Sequence, residues 1–328
     1  MLGIGSDPAY AVASNLEETD MIICCGEALI DMLPRESRDG EPAFAPYAGG
    51  AVFNSAIALG RLGVPTGFVS GISTDFFGEQ LIETLKASKV DPRHAVRTDR
   101  PTTLAFVRLV DGHASYAFYD ENTAGRMLSP ADMPADLGDA EALLFGAISL
   151  IPEPCGSAYE ALMAREHGRR VTMLDPNIRP GFIKDADAHR ARMNRMIAMA
   201  DIVKLSDEDL GWFGLPGDPG QAAKHWLDKG VKLVVVTRGG TGATAYSAAH
   251  EVSMPARRVE VVDTVGAGDT FNAGVLAALF KTGNLTKDAV AALDEGAIAE
   301  ALSLGMRAAS VTVSRAGANP PWENELPA

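Results

Sequence analysis

The sequence predicts an α/β protein with three layers, α/β/α, around a mostly parallel central sheet and a small β-sheet attached to it. Three observations carry this. Apolar runs at 142–147, 170–174, 201–205 and 231–237 alternate with helical patterns at 155–167, 187–200 and 219–229. Strands apolar on both sides belong in a parallel sheet covered on both faces. The segments 104–110 and 114–119 instead alternate polar and apolar residues across Asp111-Gly112, a hairpin turn signal inside an α/β rhythm. Finally, 328 residues with 47% hydrophobic and 22% charged side chains suffice for one large domain.

The elements follow in chain order. Residues 21–30, rich in Ile, Cys and Leu, read as the first buried strand. Residues 31–48 are rich in Pro and charge and carry no helical period. Residues 51–62 form a small-residue helix pattern that closes at Gly63, followed by a strand at 66–72 and a helix at 77–88. The two segments that break the rhythm, about 32–48 and 102–120, predict one small β lid over a substrate cleft. Further on, 243–247 and 259–262 read as β-like runs and 272–280 as a helix. After Gly305 the chain runs through 308–313 into a turn-rich finish at 314–321.

Residues 1–20 hold Asp7, Glu17, Glu18 and Asp20 and no Lys or Arg, so they lack the basic start of a signal peptide. They read as an N-terminal extension, with the folded domain over 21–328. A net charge of −14 excludes a nucleic-acid partner, which needs a basic face. No run is long and apolar enough to span a membrane. The three cysteines, Cys24, Cys25 and Cys155, are too few for a disulfide framework and point to a reducing compartment, the cytoplasm.

The most specific stretch is Asp263-Thr264-Val265-Gly266-Ala267-Gly268-Asp269-Thr270-Phe271. A strand that turns through small residues into a helix presents free N–H groups, which bind anions. A carboxylate in the first helical turn, Asp269, would repel a bound phosphate. The conflict disappears if Asp269 takes a proton from a hydroxyl that attacks the phosphate. The string is not a Walker loop, because no Gly-Lys-Ser/Thr occurs in the chain.

Other constellations lie at predicted strand ends. Gly49-Gly50-Ala51-Val52-Phe53-Asn54 reads either as a turn before a helix or as a site where a sugar approaches bare backbone and Asn54. Asp31, closing the run Gly26-Glu27-Ala28-Leu29-Ile30-Asp31, reads either as a solvated strand end or as an acceptor for sugar hydroxyls. Arg179, in Asp175-Pro176-Asn177-Ile178-Arg179-Pro180, is placed to hold substrate polar groups or phosphate. In Lys204-Leu205-Ser206-Asp207-Glu208-Asp209, Ser206 fits an N-cap, while a carboxylate there could also order Mg²⁺ through water. Thr237-Arg238-Gly239-Gly240-Thr241-Gly242 is followed by a β-like run rather than a helix, so it fails as a dinucleotide fingerprint but remains a candidate nucleotide loop. No His/Cys cluster has metal-ligand spacing, and no Gly-x-Ser-x-Gly elbow is present.

Together these residues resemble the PfkB, or ribokinase-like, carbohydrate kinase family over nearly the whole chain from Met21. The segments 49–63 and 263–274 match its two signature regions. Within it, 26–34, 175–182 and 204–210 look most like the bacterial fructokinases. The resemblance implies the ribokinase-like fold and transfer of the γ-phosphate of ATP to a sugar hydroxyl, with Mg²⁺ and in some members K⁺. It implies Asp269 as catalytic base and Gly266, Ala267 and Gly268 as the anion hole. Asp31, Gly49, Gly50 and Asn54 match sugar-binding positions. Lys204, Thr237, Gly239, Gly242 and Asn319 match the nucleotide site. Asp263 and the Val265 carbonyl match part of a monovalent-cation site. One departure matters: Ser206-Asp207-Glu208-Asp209 stands where the family often has Asn-x-x-Glu, which weakens the Mg²⁺-ordering role of Asp209.

The implied reaction is fructose to fructose 6-phosphate, in a homodimer paired through its lids. A kinase of 2-keto-3-deoxygluconate or another sugar acid is the nearest rival. It would need cationic partners, Arg179 and, on the lid hairpin, Arg108. A sugar- or nucleotide-binding regulator without catalysis is the rival from another class, opposed by the intact Asp269 and glycines.

Overall fold

A computed structural model of the chain describes residues 20–110, 113–215 and 218–327, with backbone alone for the described residues between 108 and 116. The hairpin turn Asp111-Gly112 and residues 1–19 of the expected extension lie outside the described residues. The strands are β1 (Met21–Cys25), β2 (Leu29–Glu36), β3 (Pro42–Gly49), β4 (Thr66–Val69), β5 (Gly71–Ser73), β6 (Val90–Asp91), β7 (Val96–Thr98), β8 (Leu104–Val110), β9 (His113–Tyr119), β10 (Ala140–Gly146), β11 (Val171–Asp175), β12 (Ile202–Ser206), β13 (Leu233–Thr237), β14 (Ala243–Tyr246) and β15 (Glu251–Met254). The helices are α1 (Ala51–Arg61), α2 (Phe76–Ala87), α3 (Cys155–Glu166), α4 (Ala186–Ile197), α5 (Asp207–Trp212), α6 (Pro219–Leu227), α7 (Ala267–Lys281), α8 (Lys287–Ala291) and α9 (Glu295–Val313).

The central sheet has nine strands in the order β15-β14-β13-β12-β11-β10-β1-β4-β6. Its pairings are parallel from β6 to β13 and antiparallel at β13–β14 and β14–β15. Each face supports its own core. Residues of α1, α2, α7 and α9 fill one, and residues of α3, α4 and α6 fill the other. Cys24 and Cys25, successive residues of β1, are buried in different cores, as the two-residue period of a strand requires. Burial pushes both thiols up, so they serve as small core side chains.

A separate four-stranded sheet, β3-β2-β8-β9, unites the two segments that interrupt the strand–helix rhythm. Asp31 lies in register with Tyr47 and Ala105, and Ala105 with Phe118, so these residues share a face. On that face the Phe118 ring meets Phe182 of the main body edge-on, with centroids 4.6 Å apart. The opposite face stacks Phe44 on Phe106 and Phe106 on Tyr119, and leaves Phe44 48% and Tyr119 62% exposed.

Three elements differ from the sequence expectation. The run 21–30 breaks at Gly26, where a Cβ would lie 2.5 Å from Val52 Cγ2, so the chain turns under α1 and starts a new strand in the second sheet. Asp31 therefore does not close a buried strand but sits inside β2. The run 66–72 likewise divides into β4 and β5, which belong to different sheets. Residues 259–262 form no strand: Val261 and Val262 are each 60% exposed, and β-prone residues without a partner strand make no ladder. Residues 308–313, on which no element was expected, form the end of the 19-residue α9. That helix crosses α7 at two glycines, since a Cβ on Gly274 would lie 2.6 Å from Gly305 Cα. Thr312 Oγ1 adds a hydrogen bond to Thr270 Oγ1 at 3.0 Å. The crossing fixes α7, whose first turn carries Asp269.

Candidate active site

Gly266 precedes α7 in a left-handed conformation, φ +77°, and a Cβ there would lie 2.7 Å from Ala318 Cβ. The first turn of α7 is Ala267-Gly268-Asp269; the Ala267 amide donates to the Thr264 carbonyl at 3.3 Å, while those of Gly268 and Asp269 have no upstream helical carbonyl to bond. The 15-residue helix adds its dipole, which favours negative charge at this turn. Asp263 shapes the approach. Its Oδ1 accepts from the Val265 amide at 3.0 Å and its Oδ2 from the Gly317 amide at 2.9 Å, tying the loop to the C-terminal segment.

Asp269 is 8% exposed, and its Oδ2 accepts from Asn54 Nδ2 at 2.9 Å. Burial first, then the charges of Asp175 and Glu27, push its carboxyl up to about 7, against the opposing pull of Asn54 and Lys204. Asn54 stands at this point because Glu27 holds the start of α1. Glu27 Oε1 accepts from the Ala51 amide at 2.8 Å and the Val52 amide at 3.4 Å, and Oε2 from the Ser149 amide at 3.3 Å. This carboxylate from another element caps a helix whose own N-cap, Gly50 at φ +111°, has no side chain. A Cβ on Gly50 would lie 2.8 Å from the Glu27 carbonyl oxygen.

Asp31 lies in β2 with its carboxylate against Gly49, and burial raises its carboxyl to about 6. Beneath α7, Asp175 Oδ2 accepts from Lys204 Nζ at 3.0 Å and from Asn272 Nδ2 at 2.7 Å. Lys204 is buried rather than projecting from its strand end. Asp175, Asn272 and Glu27 were not singled out from sequence; a buried strand closing on a carboxylate was the available signal for Asp175.

Asp209 is 3% exposed, with Oδ1 accepting from the Ile178 amide at 2.8 Å and Oδ2 from the Ser206 amide and hydroxyl, each at 2.8 Å. It closes a capping box on α5 and anchors the loop that carries Asn177. Arg179 is exposed and donates to the Ile178 carbonyl at 3.0 Å. The side chain of Arg108 lies outside the described residues. Thr237 Oγ1 donates to the Leu205 carbonyl at 3.3 Å, while Gly239 and Gly242 adopt φ +47° and +117°. Asn319 Oδ1 accepts from Arg61 Nη1 at 2.8 Å.

The bare backbone at Gly266 and Gly268 and the first-turn amides fit a phosphate group. Among the described residues, no group of three or more His, Cys, Asp or Glu side chains could hold a metal ion. The site sets a buried carboxylate, Asp269, beside the N-terminal amides of α7. A cavity of about 1020 Å³ lies elsewhere, between the Phe118 face of the second sheet and α3 and α4, with Leu29, Ile148, Phe182 and His189 in its wall. Asp269 does not line it, and the location of the chemistry rests on the charged groups and not on volume.

The pfkB family carbohydrate kinase model matches residues 19–325. A fructokinase of Rhizobium leguminosarum bv. trifolii is 64% identical over 279 residues, covering 85% of each chain. The crystal structure of a Xylella fastidiosa fructokinase with bound ATP superposes with a TM-score of 0.83 at 29% identity, covering 91% of this chain and 93% of that one. A double mutant of the Vibrio cholerae O395 fructokinase, in a form bound to fructose, ADP and potassium ion, reaches a TM-score of 0.79 at 25% identity, covering 91% of this chain and 94% of that one. With a family match over nearly its whole length and an anion cradle beside a buried carboxylate, this chain belongs to the pfkB family of carbohydrate kinases.

Proposed function

We propose that the chain is an ATP-dependent fructokinase that converts fructose to fructose 6-phosphate. The observation that carries this is the buried Asp269 carboxylate in the first turn of an anion-binding helix, held by Asn54 from the glycine-flanked α1. The 64% identity to a fructokinase supports the choice of sugar.

Asp31 accepts hydrogen bonds from sugar hydroxyls, and Gly49 and Gly50 let the ring approach the backbone. Arg179 is the candidate cationic contact for the substrate. Asn54 orients the sugar and Asp269 together. As the hydroxyl oxygen bonds to the γ-phosphorus, its proton passes to Asp269 and the bond to the ADP oxygen breaks. The amides of Gly266, Ala267 and Gly268 stabilise charge on the transferring group. Thr237, Gly239, Gly242 and Asn319 flank the nucleotide. Mg²⁺ supplies charge neutralisation on the nucleotide phosphates, which bring it into the site. Asp263 and the Val265 carbonyl border a K⁺ position, as potassium binding in the Vibrio cholerae protein suggests.

The exposed face bearing Phe44, Phe106 and Tyr119 pairs with a second copy, making a homodimer of lids. No helix among the described residues is long and apolar enough to cross a membrane, and the free, buried cysteines accord with a cytoplasmic site of action. A coupled ATP-consumption assay over hexoses, pentoses, sugar acids and nucleosides tests the function. Fructose is expected to give the highest kcat/KM, and a sugar acid or nucleoside in first place would overturn the choice.

A further inference from the structure

Three elements converge beneath the proposed base. Asp175 ends β11, Lys204 lies in β12 and Asn272 in α7, and the three are 5%, 5% and 2% exposed. One oxygen, Asp175 Oδ2, accepts from both Lys204 Nζ at 3.0 Å and Asn272 Nδ2 at 2.7 Å. Asn272 Oδ1 is buried without a partner. A cavity of about 10 Å³ lies among Asp175, Asn272, Asp269, Ser55 and Asn177, so the two carboxylates border the same small space. Lys204 rises directly under the first turn of α7, since a Cβ on Gly268 would lie 3.2 Å from its Nζ.

A buried ion pair is a poor way to stabilise a fold, because desolvating both charges offsets their attraction. Its position here accounts for it better. A second carboxylate on the same small cavity favours the protonated form of Asp269 unless a cation sits beside them. A base that already holds a proton cannot accept another. The groups facing Asp269 are Asn54 from α1, Glu27 from the turn after β1, Asp175 from β11 and Lys204 from β12. Lys204 is the cation of that set. Its own ammonium is held charged by Asp175 first, then Asp209 and Asp269, despite the opposing effect of burial.

We propose that Lys204, fixed by Asp175, is a positioning residue that keeps Asp269 ionised to receive the substrate proton, with Asn272 locking the pair under α7. This rests on Asp269 being the base. It differs from a nucleotide contact, because Lys204 then acts through charge on a neighbouring carboxylate and not by touching phosphate.

The test is the pH profile of kcat/KM for fructose in the wild type, Lys204→Met, Asp175→Asn and the double variant. The wild-type acid limb is expected near pH 7. In Lys204→Met it should move up by at least about one pH unit, and in Asp175→Asn it should move down. In the double variant, which removes both charges, it should return toward the wild-type position. An unmoved limb in Lys204→Met, with KM for ATP raised at every pH, would overturn the proposal in favour of a phosphate contact. A double variant whose limb stays with that of Lys204→Met would also overturn it. If Lys204→Met fails to fold, the downward shift in Asp175→Asn decides by itself. Asp269→Asn is the control. Appreciable activity in it overturns the base assignment itself, whereas an inactive Asp269→Asn with unmoved limbs elsewhere overturns this inference alone.

Discussion

A Cβ placed on Gly49 would lie 2.2 Å from Asp31 Oδ2. The glycine is the space in which the carboxylate sits, and any side chain there evicts it from its position on β2. Gly49→Ala is therefore expected to raise KM for fructose about tenfold or more, with KM for ATP changed less than about twofold. Steady-state kinetics with each substrate varied in turn would show this, and an equal rise in both constants would contradict it. Because burial raises the Asp31 carboxyl to about 6, fructose affinity should also fall as pH drops through that value, where the acceptor gains a proton.

Asp269→Asn should lower kcat by at least about a hundredfold while isothermal titration still detects fructose and nucleotide binding. Near-normal turnover refutes the assignment. The same variant should change stability in a defined direction. Burial pushes the native Asp269 carboxyl up to about 7, so between the ordinary carboxylate range and pH 7 the folded chain binds more protons than the unfolded one. Stability then falls as pH rises through that window. The Asn variant escapes this loss, so its Tm should exceed that of the wild type at pH 8, with the gap narrowing at pH 5. A lower Tm at pH 8 in scanning calorimetry would show that the carboxylate is instead stabilised in the fold.

Gly268→Val tests the anion cradle. The first added carbon already stands 3.2 Å from Lys204 Nζ, and that ammonium is pinned by Asp175 and cannot swing away. The branched side chain also covers the first-turn amides. Turnover and nucleotide affinity should both drop by about tenfold or more. Unchanged kinetics would remove Gly268 from the cradle.

Gly274→Ala addresses how the base is held. The new methyl meets Gly305 Cα at 2.6 Å and the Leu304 carbonyl oxygen at 2.9 Å, backbone atoms that yield only if α7 and α9 separate. Overpacking of this kind costs about 1–3 kcal/mol. Urea unfolding should show that loss, and kcat should fall with it because Asp269 rides on the displaced helix. A loss of stability with kcat intact would mean that the crossing does not position the base.

Local pattern made much of this molecule legible. Period-two and period-3.6 repetition, glycine stops and the Asp263–Phe271 string encode themselves within a few residues of chain, so the alternating strands and helices and the turn leading into α7 could be read directly. The hairpin of β8 and β9 was readable for the same reason. Pattern failed where a partner decides. The 21–30 run looks continuous until Val52 blocks Gly26, and the valines at 259–262 look like a strand until no strand lies beside them. Helix α9 is made by its glycine crossing with α7 rather than by the propensity of its β-branched end.

The site divides in the same way. Asp269 stood out in its glycine turn, and Asp31, Gly49, Gly50 and Asn54 were proposed through the family resemblance, but the bond between Asn54 and Asp269 joins positions 215 residues apart. Asp175, Lys204 and Asn272 meet across separations of 29 and 97 residues. Sequence by itself determined the order of layers, the anion turn and the carboxylate placed in it. Tertiary structure alone decided that Glu27 caps α1, that Asp209 is consumed by α5 and the Ile178 amide, and that a lysine lies under Gly268. The physical reason is that a carboxylate's charge state and partners depend on burial and on groups brought close by packing, and neither is written in its chain neighbours.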